Sequence, residues 1–119
     1  MSKKPFTKWL RIISESNIYI PEVSSKTLNS FIDTLNMIST LERTSGNPVK
    51  IPEVKVSSDG LIEISWTDVI CELSSREIIL HMWWKEDLIF RETSVRVEND
   101  NEGQRYVVET LIKHIFEYL

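Results

Sequence analysis

The stretch Val54-Lys55-Val56-Ser57-Ser58-Asp59-Gly60-Leu61-Ile62-Glu63-Ile64-Ser65-Trp66 decides the fold. Apolar side chains recur at every second position, Val54 and Val56 on one arm and Ile62, Ile64 and Trp66 on the other. A period of two belongs to a strand with one buried face. Asp59-Gly60, between the arms, is a pair that readily takes positive φ, so the arms fold back as an antiparallel hairpin. Further along, Thr67-Asp68, Ser74-Ser75-Arg76 and Lys85-Glu86-Asp87 separate the apolar-rich segments 69–73, 77–84 and 88–97. Connections this short join only antiparallel neighbours, so the middle of the chain is predicted to be a four- to five-stranded meander.

On both sides of the meander the period changes to that of a helix. Phe6, Trp9, Leu10 and Ile13 predict a short helix over 5–16, and 17–21 reads as a break before Pro21. A longer helix starts after Ser24 or Ser25, both competent N-caps, and buries Leu28, Phe31, Ile32, Leu35, Ile38 and Leu41. It stops near Thr44, where Gly46 and Pro48 follow. At the far end, Asn99 and Glu102 have capping-box spacing, followed by an apolar stripe of Val107, Val108, Leu111, Ile112, Ile115, Phe116 and Leu119. That helix is expected to reach the last residue. The fold class is therefore α+β: two N-terminal helices, a four- to five-stranded antiparallel β-meander, and a C-terminal helix packed on the sheet. All of residues 1–119 belong to one domain.

Composition narrows the class. The 119 residues hold 15 Ile, 9 Val and 4 Trp but no alanine, a palette suited to a sheet-based core. With abundant Ile, Ser, Lys and Asn, that composition suggests an AT-rich coding sequence of bacterial, phage or mobile-element origin. No segment approaches the ~18 apolar residues of a membrane span, and Lys8 and Arg11 interrupt any signal-peptide core. One cysteine forms no internal disulfide, and a cytoplasmic setting is expected. Charge is uneven, +3 over residues 1–50 and −7 over 51–119. Phosphate neutralisation needs clustered Lys and Arg, so nucleic acid is not expected as the main partner. Lys3, Lys4, Lys8 and Arg11 form a small patch that reads as a solvated amino terminus.

Little points to catalysis. His81 lies mid-strand and His114 near a helix C-terminus, where the dipole favours a cation. A general base at His81 needs a nucleophile and an orienting carboxylate, and no such spacing occurs in the sequence. Cys71 shares a strand face with Val69 and Leu73 and reads as a small hydrophobe. Glu63, Glu72 and Glu77 can meet across strands, but an acidic sheet brings carboxylates together without chemistry. Three glycines allow no phosphate-cradling loop, and Gly-x-Ser-x-Gly is absent. No catalytic residue, metal site or cofactor is expected.

The run Ile78-Ile79-Leu80-His81-Met82-Trp83-Trp84 breaks the alternation of a sheet with one wet face. Ile78, Leu80, Met82 and Trp84 line one side, Ile79, His81 and Trp83 the other, and Leu88, Ile89 and Phe90 continue the theme. Burying one tryptophan is worth on the order of 4–6 kcal/mol before entropy, so both sides are expected to be covered. Helices on both sides would do this; so would a second chain on one of them. Ile79, His81, Trp83, Ile89, Glu63 and Glu72 are the candidate partner-binding residues.

Residues 51–66, with a Pro-x-Val strand, an Asp-Gly turn and an aliphatic strand ending in Trp, resemble small uncharacterised bacterial proteins in which this hairpin follows a helix. The resemblance implies the hairpin and no activity; a second proline usual there is replaced by Ile51. Size, acidity and absent motifs together suggest a non-enzymatic inhibitor of the immunity, antitoxin or anti-defence kind. Its expected partner is another protein with a basic surface, or a second copy of the chain; no membrane partner is expected. The alternatives are a secretion-type chaperone and a small-molecule-binding protein or enzyme with a pocket near His81.

Overall fold

A computed structural model describes residues 4–15 and 23–115. Two helices, α1 (Pro5–Glu15) and α2 (Ser25–Ser45), precede five strands: β1 (Glu53–Val56), β2 (Ile62–Trp66), β3 (Val69–Leu73), β4 (Glu77–Glu86) and β5 (Ile89–Glu98). Helix α3 (Asn101–Ile115) follows. The strands form one antiparallel sheet in the order β1-β2-β3-β4-β5, the expected meander with its fifth strand present. The break at 17–21, the end of the first helix at Ser16, and the last helix beyond Ile115 lie outside the described residues.

Turn chemistry explains the boundaries. Ser24 caps α2, its Oγ accepting from the Thr27 N–H at 3.2 Å, and Gly46 closes it in the left-handed region (φ +74°). Between β1 and β2 only Gly60 is left-handed (φ +80°), so Asp59 occupies an ordinary turn position with the glycine as the αL residue behind it. The β4–β5 loop is two residues, Asp87-Leu88, with Asp87 at φ +57°. β4 therefore runs two residues further toward the turn than Lys85-Glu86-Asp87 suggested, while β5 starts at Ile89, one residue after the expected Leu88.

Sequence spacing misassigns one cap. Asp100, not Asn99, caps α3: its Oδ1 accepts from the Gly103 N–H at 2.7 Å. Asn99 is buried instead, accepting from Ser30 Oγ (2.7 Å) and Gln104 Nε2 (3.2 Å) and donating to the Ser74 carbonyl (2.7 Å). This knot joins α2, the β3–β4 turn and the start of α3.

The core lies between the sheet and the helix layer. Ile62, Ile64, Val69, Cys71, Leu73, Ile78 and Leu80 are completely buried, as are Leu35 and Ile38 of α2 and Val107, Leu111 and Ile115 of α3. Helix α2 packs on β3 and α3 on β4 and β5, while α1 leans on α2. A buried carboxylate fixes α1: Glu42 accepts from the N–H groups of Phe6 (3.3 Å), Thr7 (2.8 Å) and Val49 (2.6 Å). The first two are N–H groups that a helix start leaves unpaired. Trp66 donates from Nε1 to the Lys50 carbonyl (2.7 Å), and Lys50 donates its N–H to the Ile115 carbonyl (2.8 Å), tying β2 to the end of α3.

The expectation of helices on both sides of the sheet is not met among the described residues. Among the strand residues whose burial is described, every buried one has the parity of Ile62, Cys71 and Leu80, and none of the opposite parity is buried. The helices gather on one side because α2 and α3 each carry a single apolar stripe, and both stripes are used against the same sheet face.

Candidate functional site: the helix-free sheet face and its hairpin

Cross-strand register sets the open face in rows. One row runs Lys55, Glu63, Glu72, Ile79, Arg96; the next runs Glu53, Ser65, Ile70, His81, Ser94. Trp83 stands opposite Glu92 beyond the second row. Of the expected binding residues, Glu63, Glu72, Ile79, His81 and Trp83 thus share one surface, all half-buried. Glu63 and Glu72 are direct cross-strand neighbours, with Lys55 on the far side of Glu63. Glu77 is not with them; it pairs with Glu98 at the end of the sheet, and its carboxylate meets Arg96 Nε at 3.5 Å. Ile89 is also elsewhere: it is opposite Glu86, two positions along from Trp84, on the helix-side parity, whereas Phe90 has the parity of Trp83.

At the centre of the face His81 is held on three sides. Nδ1 shares a hydrogen bond with Ser94 Oγ at 3.1 Å, Nε2 is 3.4 Å from Glu72 Oε1, and the ring stacks beside Trp83 with centroids 6.4 Å apart. No serine–histidine–carboxylate spacing exists along the chain, but the register across β3, β4 and β5 creates one. Acyl transfer would also need donors aimed at a developing oxyanion and a walled space for substrate. Cavities lie beside Glu63 and Glu72 (about 350 Å³), beside Trp66 (about 300 Å³) and between α2 and α3 (about 290 Å³). None of these three is lined by His81 or Ser94.

His114 is not on this face. Its Nδ1 lies 3.3 Å from Asp68 Oδ2, joining the end of α3 to the β2–β3 turn. Cys71 is fully buried, and burial, with the nearby Glu72 charge, pushes its thiol from 9.0 up to about 12. A thiol so protonated is a core group, not a nucleophile. No group of His, Cys, Asp and Glu among the described residues is placed to hold a metal ion, and no described helix is long and apolar enough to cross a membrane.

The largest departure from sequence expectation is the β4–β5 hairpin. β3 ends against Met82, yet β4 continues to Glu86, an overhang of about 13 Å at ~3.3 Å per residue. On it Trp84 (41%), Ile89 (58%), Phe90 (78%) and Leu88 (90%) expose large apolar side chains. Exposed single hydrophobes are ordinary, but here four share one projecting tip, Trp84 and Ile89 on the helix-side parity and Phe90 on the other, so both sides of the overhang are apolar in the way that marks an interaction site. Alternation points to Trp83 but not to the tip, whose exposure follows from β3 being half as long as β4. Ile70, a half-buried neighbour of His81, was legible as the residue between Val69 and Cys71 on the opposite face. No family model, curated protein or solved structure matches this chain.

Proposed function

We propose that the protein is a small binding module that engages another protein through the β4–β5 hairpin tip and the adjoining helix-free face. The observation that carries this reading is the exposure of Trp84, Leu88, Ile89 and Phe90 on one overhanging hairpin. Aromatic and aliphatic anchors ringed by polar groups are the anatomy of an interface centre. Among the described residues of the open face and the hairpin, Glu53, Glu63, Glu72, Asp87 and Glu92 outnumber the basic residues Lys55, Arg91 and Arg96, which favours a partner with a basic surface and speeds its approach. An inhibitor of the immunity, antitoxin or anti-defence kind, acting in the cytoplasm, fits this build. Such a protein has only to cover a target's working surface and needs no chemistry of its own.

The test compares wild type with Leu88→Asp and Trp84→Ala as baits in extracts of the native host, followed by titration of the purified captured protein. A specific partner is expected to bind wild type and to lose about 100-fold or more in affinity to Leu88→Asp, the range of a central anchor. Equal binding by all three baits would remove the hairpin from the account. A second reading, acyl transfer, has the Ser94–His81–Glu72 line in its favour. A fluorophosphonate probe decides it: covalent labelling of wild type that is absent in His81→Ala supports it, and no labelling removes it.

A further inference from the structure

We propose that β5 is a pairing edge for a second copy of this chain, the two copies joining antiparallel about a two-fold axis at Ser94 to make one ten-stranded sheet. This is separate from what docks on the hairpin tip. In such a dimer the two tips point to opposite ends, Phe90 of each lies beside Glu98 of the other, and Trp84 and Leu88 stay open.

The sheet's two edges are built differently. β1 has four residues, follows Pro52 and carries Lys55, all of which blunt an edge against pairing. β5 has ten residues, with no proline, glycine or lysine. Its ladder with β4 is unbroken from Glu77↔Glu98 to Glu86↔Ile89, so no bulge twists it away. It is exposed or half-exposed throughout.

The backbone polarity of that edge follows from two hydrogen bonds. Asn99 donates its N–H inward to the Arg76 carbonyl, and Trp83 donates its N–H to Asp68 on the β3 side. Alternation along the paired strands then turns the N–H and C=O groups of Glu92, Ser94 and Arg96 outward, while the Glu98 carbonyl beyond them is already taken by the Asp100 N–H. These are the groups a fifth-to-fifth strand ladder would consume.

The side chains select the register. A two-fold axis normal to the sheet keeps side chains of like face opposite one another, so the axis passes through a residue. At Glu92 or Arg96 it would set like charges face to face, and at Val95 it would oppose Glu92 with Glu98. At Thr93 it opposes Glu92 with Ser94 and makes no ion pair. At Ser94 it places Glu92 of each copy opposite Arg96 of the other, twice over, and sets half-buried Val95 against Thr93. The outward backbone groups of Glu92, Ser94 and Arg96 then all find partners.

Sedimentation equilibrium over a concentration series tests this, with wild type, Ser94→Pro, Glu92→Arg, Arg96→Glu and the double charge swap. Wild type is expected to approach twice the 13.9 kDa of the chain. Ser94→Pro removes an outward N–H that β4 does not use, and is expected to stay folded by circular dichroism and monomeric. Each single charge reversal turns two attractions into repulsions and is expected to raise the dimer Kd about tenfold or more, while the double swap returns it to within about threefold. Should Ser94→Pro fail to fold, the charge cycle decides alone. A wild type that stays monomeric up to about 1 mM overturns the proposal. So does a dimer whose Kd in both single reversals is unchanged from wild type, or a double swap that recovers nothing.

Discussion

Glu42 shows how much one residue can hold in a protein this size. It is the one charged residue in the buried series of α2, fully buried, and its two carboxylate oxygens accept three backbone N–H groups from α1 and from the segment before β1. Removing it strands those donors in the interior, where each costs about 1–3 kcal/mol. Glu42→Ala is therefore expected to lower unfolding free energy by about 3 kcal/mol or more in urea titration, against well under 1 kcal/mol for a surface acid such as Glu109→Ala. Cys71 makes a second residue-scale prediction. Its folded thiol keeps its proton from pH 9.0 to about 12 while the unfolded thiol loses it. The contribution is thus intact below pH 9 and is lost as pH rises through that window. Native protein at pH 8 is expected to be inert to a thiol-reactive disulfide and to react fully once unfolded; prompt reaction of the native form would contradict the burial. The burial of Cys71 is visible in the sequence, where strand alternation sets it with Val69 and Leu73; the role of Glu42 is not. Helical periodicity marks Leu35 and Ile38 as core, but nothing in a linear pattern distinguishes a buried glutamate from a solvated one.

Elements were legible wherever local chemistry is decisive. Ser24, Gly46 and Pro48 bracket α2, and alternation from Val54 to Trp66 defines β1 and β2, because caps and turns act within a few residues. The start of α3 was not, because Asn99 and Asp100 are both good caps and the choice is made at long range, by Ser30 and Gln104 claiming the Asn99 amide. Gly103 follows from that choice: a Cβ there would overlap the Glu98 carbonyl oxygen, so only glycine lets the chain turn from β5 into α3. Gly103→Ala is expected to cost about 2 kcal/mol or more in unfolding free energy, with Gly46→Ala as the comparison: nothing lies near its Cβ, and its cost is only that of the left-handed φ. A Gly103→Ala protein as stable as wild type would mean that β5 and α3 join differently. The hairpin overhang is likewise a matter of relative strand lengths, which no single strand's pattern reveals. Leu88→Asp at its tip is expected to change stability by less than about 0.5 kcal/mol, since a 90% exposed side chain supports little of the fold.

At the scale of the molecule, the sequence states that apolar residues are in surplus on β4 and the start of β5, and the structure states where the surplus goes. Three helices share one side of a five-stranded sheet, and that leaves Ile70, Ile79, His81 and Trp83 on the other, continuous with the hairpin tip. The acidic balance of residues 51–119 is carried onto the same surface by Glu63, Glu72 and Glu92. Which side the helices choose was not legible, because a stripe on α2 or α3 fits either face until both are packed. Hydrogen–deuterium exchange on the protein alone and bound to its purified target tests the proposed working surface most directly. The expected result is new protection in residues 79–94, covering the centre of β4 and the hairpin tip, with α2 and α3 unchanged. Protection confined to the α2–α3 groove around Met37, Leu41 and Val108, with 79–94 exchanging as in the free protein, would contradict it.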